Sequence, residues 1–294
     1  MEGVVSITSP QYPDLLKTIP DPPKKLYYKG NWDESIFSQC LGVVGARRMT
    51  SYGKQITDLL VCELAAAGIT IVSGFMYGID ATAHQAALDG GGRTIACMPC
   101  GINVIHPAYQ KNLYQDILKN NGLIISEYEG DFPPALWTYP RRNRIVAGLS
   151  VATMVVEAGE KSGSLITAKL ARKYNRKLFA VPGMLTSAVS QGTLCLIKEG
   201  AEAVSSANDV LSYYGRETSG TKEADSLWGN LSPMQKRILT ELKREPMGID
   251  ILSYALKMTI AELGTELSLM QLQGLIVEEA GKYCPNNERR INVS

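Results

Sequence analysis

The stretch LGVVGARRMTSYGKQITDLLVCELAAAGITIVSGFMYGID (41–80) decides the fold. It begins with a short unbroken apolar run, turns through a Gly- and Arg-containing loop, passes into a helical pattern, and returns to a second apolar run that ends in another Gly-bracketed loop. An apolar run without alternation is what a strand covered on both faces requires, and a helix between two such runs is the crossover of a parallel sheet. The pattern continues outward. Strands are predicted at 41–46, 69–74, 94–99, 122–127, 152–158 and 177–183, with helices over Gly53 to Ala67, Asp80 to Asp89, Asn112 to Asn120 and Ser164 to Tyr174. Asp80 is read as the cap of the second helix. The fold class is therefore α/β, a doubly wound, mainly parallel sheet of extended Rossmann-like type occupying 41–215, with residues 1–40 as an extended N-terminal segment leading into it.

Beyond the sheet the composition changes. RETSGTKEADSLWGN (216–230) has few apolar residues and reads as a linker. Residues 231–294 then give three short helical runs, Pro233 to Lys243, Ile249 to Leu256 and Ile260 to Gln273, and a strand-like end at LIVEEAGKYC. This is the outline of a small winged-helix-like domain, or of a plain three-helix appendage.

Bulk properties exclude several function classes. A chain of 294 residues with 45% hydrophobic and 20% charged residues is neither disordered nor fibrous. No run reaches the roughly 18 apolar residues of a membrane span. The start MEGVVSITSP lacks a basic stretch followed by an apolar one, so a cytoplasmic protein without a membrane partner is expected. Six Cys spread through predicted strands and helices fit reduced thiols rather than a disulfide framework. Cys97 and Cys100 form one C-x-x-C, half of a zinc site at most, so neither metal nor cofactor is expected. His84 and His106 have no Ser or Cys beside them to form a triad, and no catalytic residue is assigned.

Ligands of open parallel sheets sit at the carboxyl ends of the strands, so the loops there carry the function. In GARRMTSYG (45–53), Gly45 permits close approach of backbone to a ligand and Arg47 offers a planar fork for phosphate. In SGFMYGID (73–80), Ser73 and Gly74 open a loop that runs into a helix start. No G-x-G-x-x-G follows a strand, which argues against a dinucleotide. In VVEAGEKSGSLITAKLARKYNRK (155–177), Lys161, Ser162, Gly163 and Ser164 form a turn suited to a phosphate, without the spacing of a nucleotide-hydrolysing loop. In WTYPRRNRIVAGLS (137–150), Trp137 and Tyr139 interleave with Arg141, Arg142, Asn143 and Arg144. Single-stranded nucleic acid needs both charge for phosphates and flat faces for unpaired bases. Residues 141–177 hold nine Lys or Arg against Glu157 and Glu160, so a formal net charge of only +1 conceals a local excess of seven. The segment from Arg216 onward holds ten basic and eleven acidic residues, which gives no footprint for duplex binding.

Taken in order, GARRMTSYG, SGFMYGIDATAH, CGINVIHP, SEYEGDFPPALWTYPRRNRIVAGLS, VVEAGEKSGSLITA and FAVPG resemble the signature blocks of the DNA-processing protein A family, also called DprA or Smf. The resemblance covers roughly positions 10–212. It implies a recombination mediator that binds single-stranded DNA and loads RecA recombinase on it in natural transformation. It also implies a homodimer and no catalytic activity. Carried over by position, it places Arg47, Ser73, Gly74, Tyr139, Arg141, Asn143, Arg144 and Lys161 to Ser164 in the DNA groove. Tyr139 replaces the more usual Phe, Leu194 a usual Asn, and Met76 a usual small residue. Two other readings stay open: an enzyme acting on a nucleotide or sugar phosphate, and a duplex-reading regulator working through the C-terminal domain.

Overall fold

The computed structural model describes residues 2–216, 231–242, 244–279 and 281–286. The chain divides into two compact units, 1–218 and 219–294. Among the described residues the first is built on a nine-stranded sheet, in which β1 (Glu2–Ser6) and β2 (Lys25–Gly30) join seven further strands in the order β1-β2-β6-β5-β4-β3-β7-β8-β9. Strands β3 (Cys40–Val44), β4 (Thr70–Ser73), β5 (Thr94–Gly101), β6 (Leu123–Tyr128), β7 (Ala152–Val155), β8 (Lys177–Ala180) and β9 (Glu202–Ala203) run parallel. Helices α2 (Ser51–Ala66), α3 (Ile79–Asp89), α4 (Lys111–Lys119), α5 (Thr138–Leu149), α6 (Ser164–Lys173), α7 (Gln191–Lys198) and α8 (Ala207–Tyr213) cover the two faces. Strand side chains alternate between the faces. Leu41, Val43, Ile71 and Met154 pack with α2, α3 and α8, whereas Val44, Val72, Ile95 and Val155 pack with α5 and α6 on the other side. Both layers being buried explains the unbroken apolar runs in the sequence.

Three sequence expectations change here. The segment 1–40 does more than lead in: it supplies β1 (Glu2–Ser6), the short helix α1 (Asp14–Lys17) and β2 (Lys25–Gly30). β2 pairs antiparallel with β6 and β1 with β2, which closes one side of the sheet, and Leu16 and Leu26 are buried in the core. Next, α3 is capped by Gly78 with Asp80 inside its first turn. Gly78 has φ +83° and ψ −138°, a conformation open essentially to glycine alone. Last, the stretch WTYPRRNRIVAGL contains a full helix. Pro140 sits in its first turn, where the missing N–H costs nothing, and Ile145, Val146 and Leu149 face the core. The linker expected at 216–230 lies, past Arg216, outside the described residues.

The second unit has helices Pro233–Leu242, Ile249–Leu256 and Ile260–Leu272, followed by the antiparallel hairpin Ile276–Glu279 with Lys282–Pro285. Ile238, Leu252, Leu263 and Leu267 form its core. Three helices and a hairpin are a winged helix. Among the described residues no helix is long and apolar enough to cross a membrane.

Candidate nucleic-acid interface

The chain steps from β3 through β4, β5 and β6 toward one side of the sheet, then returns beside β3 with β7 and proceeds the other way. The crevice of such a sheet lies where the direction reverses, so the loops after β3 and β7 flank it. A bond network ties them together. Glu157, after β7, is 2% exposed, and its carboxylate accepts from Thr50 N at 2.9 Å and Thr50 Oγ1 at 2.5 Å. Thr50 in turn caps α2 by accepting from Gly53 N.

Over this crevice the exposed Arg47 guanidinium lies 5.1 Å from the Tyr139 ring centre and 5.8 Å from that of Tyr77. The three residues come from the β3 loop, α5 and the β4 loop, so tertiary folding assembles them. Tyr139 is fixed at its far end by a 2.8 Å hydrogen bond between its hydroxyl and His106 Nε2. Burial, with Arg47 adding to it, pushes the His106 pKa down, so the ring is neutral near pH 7. Cation and ring faces are thus held together before any ligand arrives.

Arg142 anchors this arrangement from below. It is 4% exposed, donates from Nη1 to the Gly74 and Cys97 carbonyl oxygens, and donates from Nε to Asn143 Oδ1 at 3.1 Å. Burial lowers its pKa, offset by the neighbouring Asp80 carboxylate, which burial pushes up in turn. With Oδ1 of Asn143 occupied, its amide Nδ2 faces the Gly163 carbonyl at 3.5 Å, which brings the start of α5 to the turn before α6. In that turn Ser162 and Ser164 share a 2.7 Å hydroxyl contact, and Lys161 and Gly163 are exposed. A Cβ on Gly163 would meet nothing within 4 Å.

The sequence-selected residues therefore fall into two groups. Arg47, Tyr139, Asn143 and Lys161 to Ser164 line the carboxyl end of the sheet. The others support it. Gly45 packs on α3, where a Cβ would fall 2.5 Å from Ile79 Cγ1, so the need for glycine comes from helix packing. Ser73 is buried and donates to Val43 O at 2.6 Å. Gly74 leaves room for the Arg142 guanidinium, which a Cβ would approach to 2.5 Å. Arg144 is buried, paired with Glu127 and donating to Asp21 O at 2.6 Å. It therefore lies inside the protein rather than on the exposed surface. Arg141 is held by the same Glu127 through Nε at 3.0 Å. Met76 is buried and Leu194 half-buried.

Sequence reasoning does not assign Tyr77 or His106 to this surface, although Tyr77 lies in the same Gly-bracketed loop as Gly74, and it reads Arg142 as one cation of the basic stretch where the fold makes it a buried anchor. Cys97 and Cys100 are buried in β5, and burial pushes the Cys97 thiol up to about 12 and that of Cys100 to about 11. His84 is buried on α3 with Nδ1 against Thr94 Oγ1 at 2.7 Å.

Comparison with known proteins identifies relatives of this chain. The family profile for DNA recombination-mediator protein A matches residues 3–215, and that for the DprA winged helix domain matches 223–282. The DNA processing protein DprA of Bacillus subtilis is 41% identical over 208 residues, covering 71% of this chain and 70% of that protein. Protein Smf of Synechocystis is 35% identical over 307 aligned positions, covering 92% and 77% of the two chains. The crystal structure of DprA from Streptococcus pneumoniae superposes with a TM-score of 0.68 at 40% identity, over 72% of this chain and 74% of that one. A structure of DNA processing protein A from Helicobacter pylori, described in terms of its single-stranded DNA binding mode, superposes at 0.64 with 35% identity, over 73% and 98%. With both of its units matched by DprA profiles and its sheet superposing on two solved DprA structures, the chain belongs to the DNA processing protein A (DprA) family.

Proposed function

We propose that this chain is a single-stranded-DNA-binding recombination mediator that protects incoming strands and loads RecA recombinase on them in natural transformation, acting as a homodimer and without catalytic activity of its own. The observation that carries the reading is the Arg47 guanidinium set against the Tyr77 and Tyr139 rings at the crevice of the sheet. A phosphate takes the outer edge of Arg47 and the Lys161 to Ser164 turn, and an unpaired base lies against the ring surface beside it. The H. pylori relative, described as binding single-stranded DNA, supports the same ligand here.

The enzyme reading has less support. Of the two acids before the Lys161 turn, Glu157 has its oxygens engaged by Thr50 and Glu160 is exposed on the surface. Duplex reading by the winged helix is also weaker. Its helix Ile260–Leu272 carries Glu262 and Glu266 and no Lys or Arg, the wrong charge for a phosphate backbone.

The test is fluorescence anisotropy with labelled single-stranded and duplex oligonucleotides across a salt series. Single strands are expected to bind in preference, and Arg47→Ala and Lys161→Ala each to flatten the slope of log K against log salt by about 0.7, one phosphate contact apiece. Absence of salt-sensitive preference for single strands overturns the reading. RecA loading is then measured as the rate of RecA filament nucleation on single strands with and without the protein.

A further inference from the structure

A second aromatic surface lies next to the one already described and takes no part in it. The loop between β6 and α5 ends with Leu136 91% exposed and Trp137 55% exposed. Phe132, 37% exposed, stacks on Tyr128 with ring centres 4.8 Å apart and planes 14° apart. Trp137 meets both edge to face, at 5.9 Å and 85° from Tyr128 and at 6.1 Å and 73° from Phe132. Three aromatic rings packed on one another, with the exposed Leu136 beside Trp137 in the chain, leave apolar area in water, which calls for a ligand.

The position indicates which ligand. Trp137 and Tyr139 flank Thr138, which is fully buried at the start of α5. The chain therefore sends one ring toward Arg47 and His106 and the other toward Phe132 and Tyr128. The charge is also distinctive. The nearby cation, Arg141, is held by Glu127 through two nitrogens, at 3.0 and 3.2 Å, so this surface offers flat apolar faces with little free positive charge. That suits a base and not a phosphate.

Resting on the proposed single-strand binding, we infer that the Trp137, Phe132 and Leu136 shelf is a second base platform, taking an unpaired nucleobase next to the one at Tyr139. It contributes stacking, independent of base identity and of salt.

The experiment uses the full chain and compares wild type, Trp137→Ala and Trp137→Phe with oligo(dT) and with an all-abasic oligonucleotide of equal length, over a salt series. Trp137→Ala is expected to weaken oligo(dT) binding by roughly 5- to 150-fold, with an unchanged salt slope, an unchanged affinity for the abasic strand, and substantial recovery in Trp137→Phe. Melting curves of the variants show that the fold is retained. If wild type binds oligo(dT) and Trp137→Ala binds it equally, the platform is refuted while the groove stands, and the shelf is left for a protein partner. A flattened salt slope in Trp137→Ala also refutes it, because the residue would then be holding a cation. If wild type itself ignores single strands, the underlying reading fails and the platform with it.

Discussion

Arg144 separates a structural arginine from a ligand-binding one. Its side chain is 7% exposed and that of Glu127 13%, so the pair is largely out of water. Arg144→Ala leaves the Glu127 carboxylate buried without its closest cation and also frees the Asp21 carbonyl that accepts from Nη1. Removing one member of a buried pair costs about 3–5 kcal/mol. Glu127 keeps Arg141, whose side chain is 47% exposed, and that places the expectation near the lower figure. For a unit of this size each kcal/mol moves the midpoint by about 2–4 °C, so Arg144→Ala should melt about 6–12 °C below wild type. Arg141→Ala breaks only a half-exposed contact and should shift the midpoint by about 4 °C at most. The assay is a thermal melt followed by circular dichroism, paired with anisotropy on oligo(dT). An Arg144→Ala protein that melts like wild type and yet shows a salt slope flattened by about 0.7 refutes the assignment and makes Arg144 a phosphate contact.

Two further outcomes test other parts of the structure. Gly78→Ala places a Cβ against the Ala46 and Arg47 carbonyl oxygens at φ +83°, so the urea midpoint should fall by an amount equivalent to about 2 kcal/mol or more, with affinity lost as Tyr77 moves; an unchanged midpoint contradicts the backbone geometry. Burial, with Arg142 adding to it, pushes the His84 pKa down to about 3, whereas in the unfolded chain it titrates near 6.5. Below pH 6.5 only the unfolded chain gains this proton, so stability declines as pH falls, by about 2 kcal/mol between pH 6.5 and 5. His84→Gln should lack that part of the decline, measured as the difference between the two urea-midpoint profiles. His106 and Asp80 titrate in both proteins and cancel, and superimposable profiles would refute the burial argument.

The parallel strands were legible because burial on both faces leaves few polar residues in them, with Thr153 and Ser126 among the buried exceptions, and β3 to β8 lie within a few residues of the sequence reading. β1 and β2 were not, because strands such as KLYYKG at one side of a sheet mix Lys and Tyr with a single buried Leu. The helix α5 was hidden by Pro140 and a run of arginines, although Arg142, Ile145, Val146 and Leu149 follow the helical interval. Within the candidate site, residue type points to charge at Arg47 and Lys161 and to an aromatic face at Tyr139, and the fold sets all three at the carboxyl end of the sheet. Residue type could not sort four neighbouring arginine and asparagine side chains into inside and outside, since the acceptors of Arg142 and Arg144 are Gly74, Cys97, Asp21 and Glu127, set by the tertiary fold. The space beside Gly45 is taken by Ile79 and that beside Gly74 by Arg142, neighbours that only the tertiary fold supplies.

The Arg47 stack also has a kinetic consequence. A free arginine on a surface samples many rotamers and surrenders that freedom when it grips a phosphate, at a cost of about 0.5–1.5 kcal/mol per immobilised side chain. Here the guanidinium already rests between two rings, one of them tethered to His106, so most of that ordering takes place during folding. Under the proposed single-strand binding, capture of a strand requires no rearrangement at the contact. Its rate is set by diffusion and by the field of the surrounding cations, and it slows with added salt while the chemistry of the grip stays the same.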